Sequence, residues 1–213
     1  MAKELMLQLA SLILTLSILY FVNNLRKQPG HPGVRKRTRH NHQSNRHLVQ
    51  GSSLLARARS NSHGPRSIAH ARSALIEADQ ALSLSPRDPA AHILKASALD
   101  LIGHRTAALR SMTSALSTPH VKSLSAAERE DALVMRAELK LAVNRRRRVD
   151  SAVEDLVEAV RLSEGRNTAA FCLLGECYEG KGMREKAKEA FQRAIELEPD
   201  SVKARHGLDR LGP

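Results

Sequence analysis

Aromatic side chains are scarce in this sequence. Its 213 residues include no tryptophan, two tyrosines and three phenylalanines, so that aromatic residues make up 2% of the chain. Hydrophobic residues make up 42%, and alanine and leucine dominate among them. A chain of this length can form one ordinary core of about 150 residues together with additional segments. The small and aliphatic residues favour closely packed helices over a sheet.

Cysteine is also rare. Cys172 and Cys177 are the two cysteines of the chain. They lie five positions apart on one predicted helix, so they point to different faces and cannot easily form a disulfide. We interpret both as small apolar core residues. The cysteine content therefore does not require an oxidising compartment.

Acidic residues are missing from the first third of the chain. No aspartate or glutamate lies between Leu5 and Ile76, whereas eleven lysines or arginines do. From Glu77 onward there are 22 basic and 21 acidic residues, so the formal charge of +12 belongs to the amino-terminal third. A basic segment beside a nearly neutral domain indicates a surface or membrane role for that segment.

The residue combinations that mark an enzyme are absent from the sequence. No glycine-rich phosphate loop follows a strand pattern, and no set of nucleophile, histidine and acid stands out. Five histidines precede residue 65, but their spacing matches no metal-ligand template: His31, His40, His42, His47 and His63. We therefore predict no catalysis, no cofactor and no metal site.

The last part of the chain carries a two-helix pattern. Residues 168–199 read TAAFCLLGECYEGKGMREKAKEAFQRAIELEP. Helical spacing places one apolar set on each helix, namely Phe171, Leu174, Gly175 and Tyr178, then Ala187, Phe191, Ala194 and Leu197 before Pro199. This pattern resembles the tetratricopeptide signature W-x2-L-G-x2-Y, A-x3-F, P, except that Phe171 replaces tryptophan. Gly175 and Ala187 are small where two helices would cross closely.

Earlier stretches resemble the same repeat. A unit that begins at Pro89 aligns with the last unit at a constant offset of 79 residues, and a third unit covers residues 131–165. In that third unit Lys140 occupies a position where an aromatic residue or leucine is expected, and Ser125 with Glu128 predicts a capping box at the start of a helix over 126–143. The resemblance implies an all-α tetratricopeptide-repeat right-handed solenoid over residues 66–213, with about three repeats plus partial and capping helices, including a helix over 201–211.

In tetratricopeptide domains the first helix of each repeat lines a concave groove that binds a protein or peptide partner. The resemblance therefore assigns nine residues to the groove: Ile93, Ser97, Asp100, Val134, Glu138, Leu141, Cys172, Glu176 and Glu179. Such a mixture of apolar and carboxylate side chains suits a peptide or helix with apolar anchors and some basic residues. Ile93 and Ser97 stand where family members that bind chaperone tails have lysine and asparagine, which argues against a co-chaperone.

Residues 5–22 form an uncharged run, LMLQLASLILTLSILYFV. As a helix the run would extend over about 27 Å, enough for a thin bilayer. We predict a transmembrane signal-anchor helix. Two alternatives stay open, a cleaved signal peptide, although the following residues offer no good cleavage site, and a helix buried in a soluble protein.

Residues 23–65 are rich in glycine, proline, serine, asparagine and basic residues, and are predicted to form a flexible linker with a partial helix over 54–60. Six basic residues flank the apolar run on its carboxyl side: Arg26, Lys27, Arg35, Lys36, Arg37 and Arg39. Because basic flanks remain cytoplasmic, the repeats are expected to face the cytosol, at the endoplasmic reticulum or an organelle outer membrane. The same arginines and lysines are expected to contact anionic lipid.

Four consecutive arginines at residues 145–148 are predicted to lie in a widened, solvated loop of the third unit. A patch that contacts an acidic partner or lipid is the alternative for them. Taken together, the sequence predicts a membrane-anchored adaptor that is not an enzyme. The alternative is a soluble scaffold whose basic tail contacts nucleic acid or another polyanion.

Overall fold

The protein consists of helices throughout the part that is described. The computed structural model describes residues 32–60, 64–117 and 121–212, with side chains from Asn41 onward. The helices are α1 (Pro32–Ser60), α2 (Pro65–Leu84), α3 (Pro89–Ile102), α4 (Arg105–Ser117), α5 (Ala126–Leu162), α6 (Thr168–Gly180), α7 (Arg184–Leu197) and α8 (Val202–Leu211), and a short 3-10 helix, Val121–Ser123, precedes α5. No strand occurs in these three ranges. Residues 43–213 form one compact unit, and the packing below is that of this unit.

The pairs α3–α4 and α6–α7 are two copies of one hairpin, displaced by 79 residues. The equivalent glycines Gly103 and Gly182 both adopt positive φ, 93° and 71°, and end the first helix of each pair. The amide after each glycine donates to the carbonyl five residues back, from His104 to Leu99 and from Met183 to Tyr178. Glycine adopts the left-handed conformation at little energetic cost, and this conformation reverses the chain within two or three residues. The offset read from the sequence is therefore reproduced in the backbone.

Helix α5 contains the third hairpin, because its two halves fold back on each other at Asn144. That residue has φ −160° and ψ 90°, outside the helical region. Arg136 and Asp155 would lie about 28 Å apart along one straight helix, but an Arg136 Nη2 to Asp155 Oδ1 distance of 2.6 Å shows that the halves are antiparallel. The predicted capping box is present, with Ser125 Oγ accepting from the Glu128 amide and Glu128 accepting from the Ser125 amide.

The four arginines that follow the break are helical, so the prediction of a widened loop at 145–148 is wrong. The turn needs only Asn144, whose side chain accepts a hydrogen bond from the amide of Arg147 at 3.1 Å and so satisfies one free amide of the new helix. Arg145 lies 3.5 Å from Glu176 of α6. The four side chains are exposed at the start of the second half of α5.

A helix hairpin precedes these three units and was not predicted as such. Helix α1 packs antiparallel to α2 through contacts spaced along both helices: Ser44 Oγ donates to Ala81 O, His47 Nδ1 lies 2.7 Å from Glu77 Oε2, and Ser67 Oγ donates to Ala58 O at 2.7 Å. Between them Leu55 joins a core cluster with residues of α2 and α3. The prediction of a flexible linker is therefore wrong for residues 43–53, whereas the partial helix predicted over 54–60 is confirmed as the end of α1.

Alanine is the most frequent buried residue of the described helices, which agrees with the composition. More than half of the buried apolar residues are alanines, and most of them are completely buried. Phe191 is the largest completely buried side chain and lies at the crossing of α6, α7 and α8. Glycines approach its ring from two sides, because an added Cβ would lie 2.5 Å from Phe191 Cε1 at both Gly175 and Gly207. Close helix packing here depends on the absence of a side chain at both positions.

The predicted membrane anchor at residues 5–22 and the flanking Arg26 and Lys27 lie outside the described residues. Within the described ranges, none of the helices combines the length and the apolar character that a membrane crossing requires. The side chains of Arg35, Lys36, Arg37 and Arg39 are likewise not described, although their backbone belongs to α1. The anchor and the lipid contacts stay predictions.

Candidate functional site

A groove of about 540 Å³ lies between α1, α3, the first half of α5 and the start of α6. We call it the concave groove. It is lined by Ser52, Leu55, Arg59, Ala90, Ile93, Leu94, Ser97, Asp100, Leu124, Glu128, Asp131, Ala132, Val134, Met135, Glu138, Asn167 and Ala169. The lining helices are the first helices of successive hairpins, which is the surface that the sequence analysis assigned to binding.

Five of the nine residues assigned to the groove from the sequence line this cavity: Ile93, Ser97, Asp100, Val134 and Glu138. The other four do not. Leu141 packs against the core cluster of α5 and α6, and Cys172 is 2% exposed in the core around Phe191. The cavity is therefore formed mainly by α1, α3 and the first half of α5, and α6 contributes only its start.

Helix α8 explains why Glu176 and Glu179 lie outside the cavity. Lys203 Nζ is 3.2 Å from Glu176, and Arg210 binds Glu179 through two hydrogen bonds of 2.9 and 2.7 Å. The hydrogen bond from Arg210 holds the pKa of Glu179 below its ordinary value of 4.5. Ser201 Oγ lies 3.8 Å from Cys172 Sγ. The terminal helix thus occupies the carboxyl-terminal end of the surface and neutralises its two glutamates.

The structure adds cavity residues that sequence reasoning missed. Leu55 and Arg59 come from α1, which the sequence analysis had placed mostly in a linker. Met135 lies three residues before Glu138 on α5, and Asp131 lies four residues before Met135, so all three share one face of the helix. Helical spacing from Glu138 could therefore have identified both. Leu124, before the helix, closes one side of the groove and carries no motif that would have marked it.

Carboxylates line the groove on α3 and α5. Burial against the groove walls raises the pKa of Glu138 above 4.5; the charge of Lys203 opposes this shift, and Asp100 and Glu176 add to it. The pKa of Asp131 is also raised, first by burial and then by the neighbouring charge of Glu130. Negative charge in the groove is therefore held where solvation is incomplete and like charges are close.

A buried hydroxyl also faces the groove. Ser97 is 4% exposed, and its Oγ lies 3.4 Å from the thioether sulfur of Met135, which is a weak acceptor. Asn167, at the opposite end, uses its side-chain oxygen to cap α6 through the amide of Ala170 and donates to Glu130. Apolar side chains, chiefly Ile93, Val134 and Met135, form the floor between these polar groups.

The described part of the chain shows neither a cluster of metal ligands nor an activated thiol. No group of three or more potential metal ligands comes together there. Burial raises the pKa of both Cys172 and Cys177, so neither thiol is poised as a nucleophile. What the arrangement can do is bind: it offers an open apolar surface with carboxylates around it.

Comparison with known proteins supports this description of the fold. A family model described as tetratricopeptide repeat matches residues 168–201. Comparison with curated protein sequences gave no match. The chain thus contains a recognisable tetratricopeptide repeat at the place where the motif was read.

Several solved structures, two of them described as TPR proteins, are similar in fold. The MamA protein has a TM-score of 0.63 and 16% identity, over 80% of this chain and 81% of that chain. TTC0263, a thermophilic TPR protein of Thermus thermophilus, has a TM-score of 0.56 and 21% identity, over 79% of this chain and 80% of its own. YrrB, described as a TPR protein with an unusual peptide-binding site, has a TM-score of 0.52 and 19% identity, over 76% and 91%. The protein therefore has a TPR-like helical solenoid.

Proposed function

We propose that this protein is a non-enzymatic adaptor that binds a segment of another protein in the concave groove, and that residues 5–22 anchor it to a membrane with the groove on the cytosolic side. The observation that supports binding is the groove itself, an open cavity of about 540 Å³ on the first helices of successive hairpins. A pocket of this size with an apolar floor and a few polar groups is typical of ligand sites. The similar protein YrrB carries a peptide-binding site by its own description.

Site-specific photocrosslinking tests the binding surface. A photoreactive side chain at Glu138, which lies in the groove, is compared with the same side chain at Glu189, which is exposed on α7 and does not line the groove. We expect the Glu138 position alone to crosslink a defined protein segment in cells. Identical adducts from both positions would refute the groove as the binding surface.

The membrane anchor rests on a different feature, the uncharged run of residues 5–22 followed by basic residues. Cells that express the full-length chain are fractionated, the membranes are extracted with alkaline carbonate, and intact organelles are treated with protease. The anchored cytosolic adaptor stays in the pellet and its solenoid is digested. Full extraction of an uncleaved chain would refute the anchor, and protection from protease would reverse the orientation.

A second arm of that experiment uses the chain without residues 1–24. Residues 43–213 form one compact unit, so the shortened chain is expected to fold and to leave the membrane fraction. Recovery only as an insoluble aggregate would contradict a separate anchor.

A further inference from the structure

Three carboxylates of the concave groove form no direct ion pair among the described residues. Asp100, Asp131 and Glu138 form no ion pair within residues 41–60, 64–117 and 121–212, whereas Glu176 and Glu179, under α8, are both paired. Arg59, at the α1 end, is the single cation among the residues that line the cavity. The groove therefore presents an excess of negative charge, which Lys203 of α8 offsets only in part through its charge interaction with Glu138.

These charges are close enough to disfavour one another. Burial is the main reason why the protonated form of Glu138 is favoured; Lys203 opposes it, and Asp100 on α3 and Glu176 on α6 add to it. Glu130 has the same effect on Asp131. A ligand cation in the groove would relieve both interactions at once, since each carboxylate gains a counter-charge in a site of reduced solvation.

Two further features of the groove indicate a peptide rather than a metal ion or a polyamine. The apolar floor formed by Val134 and Met135 lies between Asp131 and Glu138 along α5. Ser97 is 4% exposed, and the one hydrogen bond it makes goes to a thioether, which leaves its oxygen free to accept from a ligand amide. Apolar contact and an acceptor for a backbone amide match the chemistry of a polypeptide.

We infer that the concave groove binds an extended basic segment of a partner protein, in which two lysines or arginines flank an apolar residue. The inference rests on the proposed function and specifies its partner. Asp131 and Glu138 are seven residues apart on a helix, which corresponds to about 10 Å, and an extended chain advances about 3.3 Å per residue. The two basic residues are therefore about three positions apart, with the apolar residue between them over Val134 and Met135.

Peptide selection on the full-length protein tests this assignment. A displayed library of short linear peptides is selected against the full-length chain in mild detergent, and the peptides recovered are sequenced. The variant Asp131→Asn/Glu138→Gln removes the two charges without changing side-chain size, and Glu189→Gln removes one exposed charge outside the groove. Affinities of a selected peptide are then measured by fluorescence anisotropy for all three proteins.

We expect arginine or lysine to be enriched at two positions about three residues apart, with an apolar residue between them. The double variant should bind the selected peptide about ten- to a hundredfold more weakly, at about three- to tenfold for each charge pair, while Glu189→Gln binds unchanged. Enrichment of apolar residues without basic ones, or of acidic ones, would overturn the inference and leave the proposed function standing. Recovery of no binding peptide would overturn both.

Other occupants give different results in the same experiment. If this chain's own basic residues filled the groove, peptide binding would appear or tighten when Arg26 and Lys27 are changed to glutamine. If a second copy filled it, the protein would dimerise on gel filtration, and the double variant would be monomeric. Either result would overturn the assignment to a separate partner.

Discussion

Replacement of Gly207 by alanine should destabilise the carboxyl-terminal end of the solenoid. Phe191 is completely buried, and its ring is held between α6 and α8 by Gly175 on one side and Gly207 on the other. A Cβ at Gly207 would lie 2.5 Å from Phe191 Cε1 and 2.5 Å from Cζ. Favourable carbon–carbon contacts lie at about 3.5–4.0 Å, so the ring would have to move by roughly 1 Å.

The ring has no free direction for that movement, because a displacement away from Gly207 brings it towards the backbone at Gly175. Overpacking of this kind costs about 1–3 kcal/mol. The higher helix propensity of alanine offsets about 0.5–1 kcal/mol of that cost. We therefore expect a net loss of about 1–2 kcal/mol in the free energy of unfolding, where propensity alone predicts a gain.

Gly180 provides the matched control. It ends α6, its φ is not positive, and a Cβ added there would meet no atom within 4 Å. Gly180→Ala should therefore be neutral or stabilise by up to about 1 kcal/mol. A third variant, Phe191→Leu combined with Gly207→Ala, should lose less than the sum of the two single changes, because the smaller side chain makes room for the methyl group.

Urea unfolding followed by circular dichroism measures these differences. Because repeat arrays need not unfold in a single step, amide hydrogen exchange of α6, α7 and α8 should accompany it. We expect faster exchange in these three helices in Gly207→Ala and unchanged exchange in α2 and α3. If Gly207→Ala is as stable as Gly180→Ala, the close packing of α8 on Phe191 is refuted.

Three other predictions concern charged groups. Asp155→Ala leaves Arg136 and Lys140 without their shared partner, and these two side chains are only 19% and 13% exposed. The change should therefore lower the free energy of unfolding by about 3–5 kcal/mol. An unchanged urea midpoint would contradict this prediction. Ser125→Ala removes the side-chain contacts of the capping box and should cost about 1 kcal/mol near neutral pH. The Ser125 amide and hydroxyl both donate to Glu128 and hold its pKa below 4.5, and the variant loses the hydroxyl's share. The difference should therefore shrink as the pH falls through the lowered pKa, and a pH-independent difference would refute the role of the carboxylate. Basic peptides should bind the groove more weakly at about pH 5 than at about pH 7.5, because burial raises the pKa values of Glu138 and Asp131, and the Asp131→Asn/Glu138→Gln variant should lose that pH dependence.

The hairpins α3–α4 and α6–α7 could be predicted because their local sequence signals agree with their packing. At an offset of 79 residues the sequence repeats the small residues at the crossing and the glycine that ends the first helix, and the structure repeats the same reversal at Gly103 and Gly182. Pro89 at the start of α3 adds a helix signal that is independent of the pattern. Where propensity, spacing and turn residues agree, the local structure follows from the sequence.

Only the end of helix α1, residues 54–60, was predicted, because its buried stripe consists mostly of small and polar residues. The residues that face α2 and α3 include Ser44, Leu48, Gly51, Leu55 and Ala58, at alternating spacings of four and three. Two leucines are a weak apolar signal, and the surrounding serines, asparagines and arginines resemble a linker in composition. The spacing alone could have revealed the helix, since a polar residue can occupy a helix crossing when it is small and hydrogen-bonded, as Ser44 is to Ala81.

The groove could be predicted only in part, because its extent depends on how other helices cover it. Assignment from the first helix of each repeat found Ile93, Ser97, Asp100, Val134 and Glu138. This assignment could not show that α8 covers Glu176, because the 3.2 Å contact between Lys203 and Glu176 is visible only in the structure. Such contacts between distant residues are set by the superhelical arrangement of the whole solenoid, and no local pattern encodes them.

The hairpin within α5 has an ion cluster where the repeat pattern has an aromatic contact. Lys140 stands where the repeat has an aromatic residue or leucine, and its Nζ lies 2.7 Å from Asp155 Oδ2 and donates to the carbonyl of Ser151 at 2.7 Å. Arg136 holds the same carboxylate from the other side, so all four contacts converge on one turn of the second half of α5. A cluster of this kind adds little stability over a well-packed apolar contact, but it tolerates only one register between the two halves. That restriction matters here because the reversal at Asn144 has no glycine to define it, and Asp131 and Glu138 of the groove lie on the first of the two halves.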